Sequence, residues 1–300
     1  MNADADRSSN LRGILAMLSA VLLFSVMDSC MKLLAPHYPA MQVTALRGLC
    51  SLPLVCAWVL FDGGARQLLR VRWSLHLLRG VLAVLMLAAF VFALRYMPLA
   101  EAYSLFFVAP LLITALAVPL LGERVGWRRW CAIAIGLAGT VVVLRPSGAG
   151  MVSIGGLAVL GAAFAYALSA IAVRVLGRSD STQSMVFWLL LMLSVFATAA
   201  AWPNWQPLQA AHWPVLLALG ATGALGQWGL TEAFRRSPAS VIAPLEYTAL
   251  GRGLGLDWLL WGTRPDRTML AGATIIVVAG LYLLRREAVV SGPPGRAAQD

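Results

Sequence analysis

The sequence predicts an all-α membrane protein: ten transmembrane helices arranged as two inverted five-helix repeats. Three observations lead there. Hydrophobic residues make up 60% of the 300-residue chain and charged residues 12%, about half the roughly 25% usual for soluble domains. Mean hydropathy is +0.79, and a water-soluble fold of this size cannot cover so much apolar side chain with polar surface. The apolar residues also fall into ten runs, each close to the about 20 residues a helix needs to cross about 30 Å of hydrocarbon. Finally, the runs repeat. Ala93 to Leu99, ALRYMPL, lines up with Ala233 to Ala239, AFRRSPA, at an offset of 140 residues.

Turn and breaker residues divide the ten spans. The first, 13–34, stops before Pro36 and Pro39, and 42–61 runs into Asp62-Gly63-Gly64. Next, 74–94 precedes Pro98, which opens 98–121; Gly122 closes that span, and 127–144 ends before Pro146-Ser147-Gly148. In the second half, 154–175 ends before Gly177 to Asp180, and 184–202 is closed by Pro203 and Pro207. Then follow 213–234, 238–262 opening on Pro238, and 267–284 after Pro265. The first run is too long for a cleavable signal, contains Asp28 and lacks a small-x-small cleavage site. The chain divides into a first repeat, 13–145, a second, 154–285, and a cytoplasmic tail, 286–300, whose Gly292-Pro293-Pro294-Gly295 reads as disordered.

The offset of 140 also sets Pro98 on Pro238, Gly122 on Gly262, and Leu144-Arg145 on Leu284-Arg285, while Cys131…Gly139 matches Gly272…Gly280 one residue later. An odd number of spans per half turns the second copy upside down in the membrane. Inverted repeats recur in secondary transporters, with the substrate site near the midplane between the halves.

The net charge of +10 has a topological explanation. With the N-terminus in the cytoplasm, the inner ends receive Arg7, Arg12, Arg66, Arg70, Arg72, Arg124, Arg128, Arg129, Arg174, Arg178, Arg235, Arg236, Arg285, Arg286 and Arg296. The outer ends receive Arg95, Arg145, Arg264 and Arg267. Such an excess of basic residues marks the cytoplasmic side, so both termini are expected inside and the excess meets anionic lipid. Too few polar residues remain to build a nucleic-acid face.

The motif search argues against an enzyme. HExxH, GxxxxGK[ST], GxGxxG and GxSxG are missing, and His37, His76 and His212 are scattered. An intramembrane enzyme needs a His–carboxylate constellation, which His76 near Arg79 does not supply. Cys30, Cys50, Cys56 and Cys131 lie in apolar runs without a CxxC pair; they read as small buried hydrophobes. No cofactor or metal is expected.

Charge within a span costs about 2.5–3.5 kcal/mol at a helix centre, so the intramembrane charges are the candidate transport residues. They are Asp28, Glu101, Glu246 and Asp257 against Lys32, Arg47, Arg79 and Arg252, a neutral set that suits mutual pairing or a zwitterionic ligand. Depth along the spans groups Asp28, Lys32, Arg47 and Glu101 toward the outside. Plain alternatives stand beside each role: Asp28 and Lys32 sit at i, i+4 and suit a pair on one helix face. Arg47 and Arg79 suit snorkelling to headgroups, and Glu101 a pair with Arg95 or Arg47. Glu246 has Ile242 and Leu250 one turn away instead of a cation, which makes it a candidate proton carrier or ammonium ligand. Beside it stand Tyr247 and, deeper in the set, Arg252. Tyr103, Tyr166, Gln227 and Trp228 read as cavity liners. Gly220, Gly223, Gly226 and Gly229, and Gly161, Ala165 and Ser169, form small-residue stripes for close helix approach. Trp73, Trp127, Trp130, Trp202, Trp205, Trp213 and Trp261 lie near span ends, as interfacial anchors do.

The residues also resemble a known family. Arg95-Tyr-Met-Pro-Leu-Ala-Glu-Ala-Tyr-Ser104, Ala109-Pro110, Leu121-Gly122-Glu123-Arg124 and Gly136-Leu-Ala-Gly139 are similar to the EamA domain of the drug/metabolite transporter superfamily. Phe24-Ser-Val-Met-Asp28 through Lys32, with Arg47 and Arg79, resembles its S-adenosylmethionine-carrier-like subgroup. The resemblance covers 13–285 and is weaker in the second half, where Gly122-Glu123 becomes Gly262-Thr263. It implies a bacterial inner-membrane carrier whose central cavity opens to each side in turn, moving a small metabolite. Export of an amino-acid-like compound or amino-carboxylate metallophore is the expected activity; uptake of S-adenosylmethionine or a vitamin is the alternative. A channel is disfavoured, because pore-lining charge should repeat in both halves and Glu101 and Glu246 align with Val241 and Phe106. The expected partners are the substrate, the lipid bilayer and a coupled proton; the sequence carries no signature of oligomeric state.

Overall fold

Long apolar runs become helices in a bilayer because every backbone amide must find its partner inside the segment. The structure, a computed structural model, describes residues 3–61, 68, 71–122, 126–144, 153–176, 180–236 and 243–290, and among them there is no strand. The first half holds α1 (Ala3–Leu34), α2 (Ala40–Phe61), α3 (Trp73–Ala93), α4 (Leu99–Phe106), α5 (Ala109–Leu121) and α6 (Trp127–Leu144). The second holds α7 (Ile154–Leu176), α8 (Thr182–Ala201), α9 (Trp213–Arg236), a 3-10 turn (Ala243–Tyr247), α10 (Thr248–Trp261) and α11 (Arg267–Val290). Among the described residues, six segments are long and apolar enough to cross a membrane: Leu11–Leu34, Ala40–Phe61, Trp73–Ala93, Leu99–Leu121, Ile154–Val173 and Gln183–Asn204. Trp130–Val143 and Arg267–Tyr282 are apolar but shorter. The tail expected from 286 is helical through Val290; 291–300 lie outside the described residues, as do Glu123, Arg124 and Pro238.

Two expected spans are not continuous. The span 98–121 breaks at Phe107 and Val108, where Val108 N–H turns back to Leu105 O at 3.2 Å, a three-residue step, before Leu112 N–H resumes the helical pattern on Val108 O at 3.0 Å. Pro110 lacks an amide and opens α5, so the second helix starts where the first loses a donor. The described part of the span 238–262 opens as the 3-10 turn and becomes α-helical at Thr248. These junctions, 107–108 and 247–248, are related by the same offset of 140. So are the ends of the two spans: Gly122 and Gly262 stop their helices at φ 69° and 65°, left-handed values that glycine adopts without a Cβ penalty.

Packing runs between the halves. The longest seams join α1 to α9, α2 to α8, α3 to α7 and α6 to α11, and α4 meets α10. Lipid is as apolar as leucine, so such seams depend on close backbone approach and polar ties. Along α9, a Cβ on Gly220 would stand 2.6 Å from Cys50 O, and one on Gly223 2.6 Å from Ser51 Oγ. The stripe through Gly161 is different: a Cβ there would meet nothing. Large apolar side chains cover the outside, among them Leu60, Phe61, Leu217 and Leu259, as expected of a lipid-facing surface. Of the cysteines, Cys30 is buried, Cys50 and Cys56 are half-buried and Cys131 is exposed. The reading of all four as buried is corrected by an exterior that is itself apolar.

Candidate functional site

Turns at the two ends of the bundle bring the halves together. At the end containing Pro36, the Lys32 ammonium donates to Asp257 at 2.6 Å and stands 4.1 Å from the Trp261 ring centroid. Asp257 also accepts from the backbone amides of Leu99, at 3.1 Å, and Ala100, at 2.8 Å. Those amides open α4, and the first amides of a helix have no partner within it. One carboxylate thus joins α1, α4 and α10. The expectation of a local Asp28–Lys32 pair is corrected, because Lys32 crosses to the other half. A cavity of about 200 Å³ adjoins the tie, lined by Glu101, Asp257, Arg264 and Asp266 among others. Beyond Pro36, the Tyr38 hydroxyl pairs with His212 Nδ1 at 2.8 Å and accepts from Gln209 N–H at 3.0 Å. Gln42 exchanges hydrogen bonds with the Gln206 backbone at 2.7 and 2.8 Å, and Arg95 donates to Tyr38 O. The α1–α2 and α8–α9 connections are clasped together.

Deeper in the bundle, the Tyr103 hydroxyl donates to Asp28 at 2.7 Å. Arg47 is the cation acting on Asp28, and its Nε reaches the Met27 sulfur at 3.2 Å. The structure therefore divides the expected outer network: Lys32 joins Asp257, Asp28 joins Tyr103, Arg47 reaches Met27, and Glu101 lines the cavity. Aromatic rings lead away from Asp28. Tyr103 stacks on Phe90 with centroids 6.2 Å apart, Phe90 meets Phe106 edge-on at 5.8 Å, and Phe106 meets Tyr166 at 5.4 Å. Glu246 lies in the 3-10 turn directly before Tyr247. Tyr247 packs edge-on against Phe107 at 4.9 Å, and its buried hydroxyl has no partner among the described residues.

At the opposite end, where α3 begins, His76 Nε2 lies 2.8 Å from Asp180 Oδ2, which also accepts from Arg72 N–H at 3.3 Å. Arg79 is 6% exposed; its Nη1 donates to Met185 O at 3.3 Å and its Nε has no partner among the described residues. It is held between α3 and α8 rather than extended to headgroups. Asp180 escaped sequence reasoning because it stands in a breaker cluster. Asp257 was counted among the buried charges but given no role, since its partner lies 225 positions away.

The remaining candidates are dispersed. Arg252 is half-buried with Nη1 unpartnered among the described residues, and Gln227 is half-buried on α9. Trp228 is 49% exposed, on the stripe of α9 shared with Leu217 and Leu225 and facing away from the seam with α1 and α2.

Comparison with known proteins places this geometry in context. The model of the EamA-like transporter family matches the chain twice, over 11–145 and 153–286. The chain is 31% identical to a riboflavin transporter of Vibrio cholerae, over 92% of this chain and 94% of that protein. It is 28% identical to a pseudopaline exporter of Pseudomonas aeruginosa, over 91% and 96%. It is 26% identical to an S-adenosylmethionine uptake transporter of Rickettsia prowazekii, over 92% and 94%. A solved crystal structure covers 93% of this chain and 99% of its own with a TM-score of 0.63 at 20% identity, a likeness of fold.

Proposed function

The chain belongs to the EamA-like transporter family, and we propose that it is a secondary carrier of the bacterial inner membrane, moving a small charged or zwitterionic metabolite by alternating access. It is a membrane transporter and not an enzyme. The observation that carries the site is the pair of irregular helical junctions at 107–108 and 247–248, with Glu246 in the 3-10 turn at one of them. Discontinuous helices at matching positions of two repeats are where transporters of this kind bind substrate, because unwound backbone lines a cavity there.

Ten spans in two inverted repeats, 13–145 and 154–285, with both termini in the cytoplasm, complete the reading. The seams support the repeat. If the halves are exchanged, α1 against α9 becomes α7 against α3, while α2–α8 and α6–α11 map onto themselves. In this orientation the Pro36 end faces outward and the His76–Asp180 end faces the cytoplasm. Rocking of the halves breaks one set of ties while the other holds, and exposes Glu246, Arg79 and the Asp28–Arg47 region in turn. Carboxylates of the substrate suit Arg47 and Arg79, and its amine suits Glu246, which is also the candidate for a coupled proton.

Export of an amino-acid-like compound or amino-carboxylate metallophore is the first reading, consistent with the pseudopaline exporter. Uptake is the second, supported by the names of the S-adenosylmethionine relatives. Right-side-out and inside-out vesicles loaded with these compounds test both. Saturable counterflow is expected, lowered about tenfold or more in Glu246→Gln and Arg79→Ala, since removing a charged contact costs above about 1.4 kcal/mol. Wild-type rates in both variants would remove this site.

A further inference from the structure

At the Pro36 end, two imidazoles from opposite halves lie against each other. His37 stands in the turn between α1 and α2, and His212 closes the 3-10 turn Ala210–His212 that leads into α9. Their ring centroids are 4.6 Å apart and their planes are tilted by 43°. His37 is exposed and His212 half-buried, so the pair is open to water. The fold fixes the second ring. The buried Tyr38 hydroxyl pairs with His212 Nδ1 at 2.8 Å and is itself held by Gln209 N–H at 3.0 Å, while the Tyr38 ring meets His212 edge-on at 5.4 Å. That leaves His212 Nε2 as the nitrogen open to a ligand. The neighbouring Arg95 is committed to the Tyr38 carbonyl.

We propose that His37 and His212 hold a divalent late transition-metal ion, Zn²⁺ or its neighbours, and that the ion bolts the two halves together at this end. A tetrahedral metal with two imidazole nitrogens at about 2.0–2.1 Å sets their ring centroids about 5 Å apart, close to the spacing found. Rings stacked face to face aim their nitrogens in parallel, whereas tilted rings let two lone pairs converge. A ligating histidine is usually fixed by a hydrogen bond at its other nitrogen, which sets tautomer and orientation; Tyr38 does this for His212. Imidazole selects zinc, copper or nickel, while magnesium and calcium take oxygen. No third His, Cys, Asp or Glu joins the pair among the described residues, so water fills the remaining positions and the ion exchanges with the medium. The site itself stands apart from the carrier reading, but its consequence rests on it, because the two connections must part when this end opens. An ion that binds only the joined pair favours the closed form by mass action, about a hundredfold at a hundredfold excess over its Kd.

The test uses the full chain, free of any histidine tag, in lipid nanodiscs titrated with Zn²⁺ and separately with Mg²⁺. Zn²⁺ should bind saturably and raise the melting temperature; Mg²⁺ should do neither. His37→Ala removes an exposed ring and should weaken Zn²⁺ about tenfold or more and abolish the melting shift. Loaded with Cu²⁺, the wild type should show two ring nitrogens on the metal by electron spin echo, and His37→Ala one. Zn²⁺ held as tightly by His37→Ala as by the wild type, or a single ring nitrogen in the wild type, overturns the proposal. In liposomes, external Zn²⁺ should slow counterflow about tenfold or more in the wild type, chelation should restore it, and His37→Ala should keep its own metal-free rate. Zn²⁺ that binds the pair and leaves counterflow unchanged overturns the bolt. If no compound moves in metal-free liposomes, the carrier reading falls, while binding and melting still decide the metal site.

Discussion

At Asp257 one carboxylate accepts from the Lys32 ammonium and from two backbone amides of α4. A hydrogen bond between helices in a bilayer contributes about 0.6 kcal/mol on average, whereas removing one partner of a buried ion pair costs about 3–5 kcal/mol. Asp257→Asn should therefore lower the unfolding free energy in detergent by several kcal/mol, more than Gln42→Ala at the neighbouring clasp. Lys32→Met combined with Asp257→Leu should recover part of the loss, because no charge is left unpaired. Equal melting of Asp257→Asn and wild type would show that the pair is solvated. A second residue-scale prediction concerns Gly280. A Cβ there would stand 1.7 Å from the Tyr247 hydroxyl, so Gly280→Ala must displace the ring beside Glu246. Overpacking of this kind costs about 1–3 kcal/mol. Transport should fall in Gly280→Ala and recover only in part in Gly280→Ala/Tyr247→Phe, because losing the hydroxyl leaves the ring Cζ 2.7 Å from the new Cβ. A double variant no better than the single one would assign Gly280 to helix packing alone.

Among the elements, α9 gives the sharpest case. Its Gly220 and Gly223 sit against α2 with no space for a side chain, so Gly220→Leu should separate α9 from α2 and abolish folded expression. Gly161→Leu, where a Cβ meets open space, should be tolerated. Fluorescence-detected size exclusion distinguishes the two. The glycines every third residue already marked α9 as a close-packed helix, and the α7 stripe looked the same in the sequence, because spacing does not reveal which face meets a partner. Six of the span positions were legible because hydropathy is a property of each segment. The breaks at 107–108 and 247–248 were not: both lie in apolar sequence, and only the missing proline donor at 110 hints at the first. Pairings across the halves were least legible of all. Asp28 stands one turn from Lys32 and offered itself as partner, while Asp257 waits on a helix whose approach only the assembled fold decides.

On the scale of the whole molecule, the clasp between the α1–α2 and α8–α9 connections should govern access at the Pro36 end. Cysteines introduced at Gln42 and Gln206, in a chain freed of Cys30, Cys50, Cys56 and Cys131, should cross-link with a short reducible thiol reagent. Counterflow should stop and return on reduction. Transport that continues after complete cross-linking would exclude opening at this end. The offset of 140 made the twofold scheme readable from a few proline and glycine positions, since a repeated backbone needs its turns in the same places. The ties do not follow that scheme. One end is fastened by a lysine on a carboxylate and a clasp of amide, tyrosine and arginine hydrogen bonds, the other by a histidine on a carboxylate with a nearby arginine. Two settings of a switch built on matching frames but fastened by different chemistry cannot weigh the same. The chain therefore carries its own resting bias, present before any gradient or cargo acts on it.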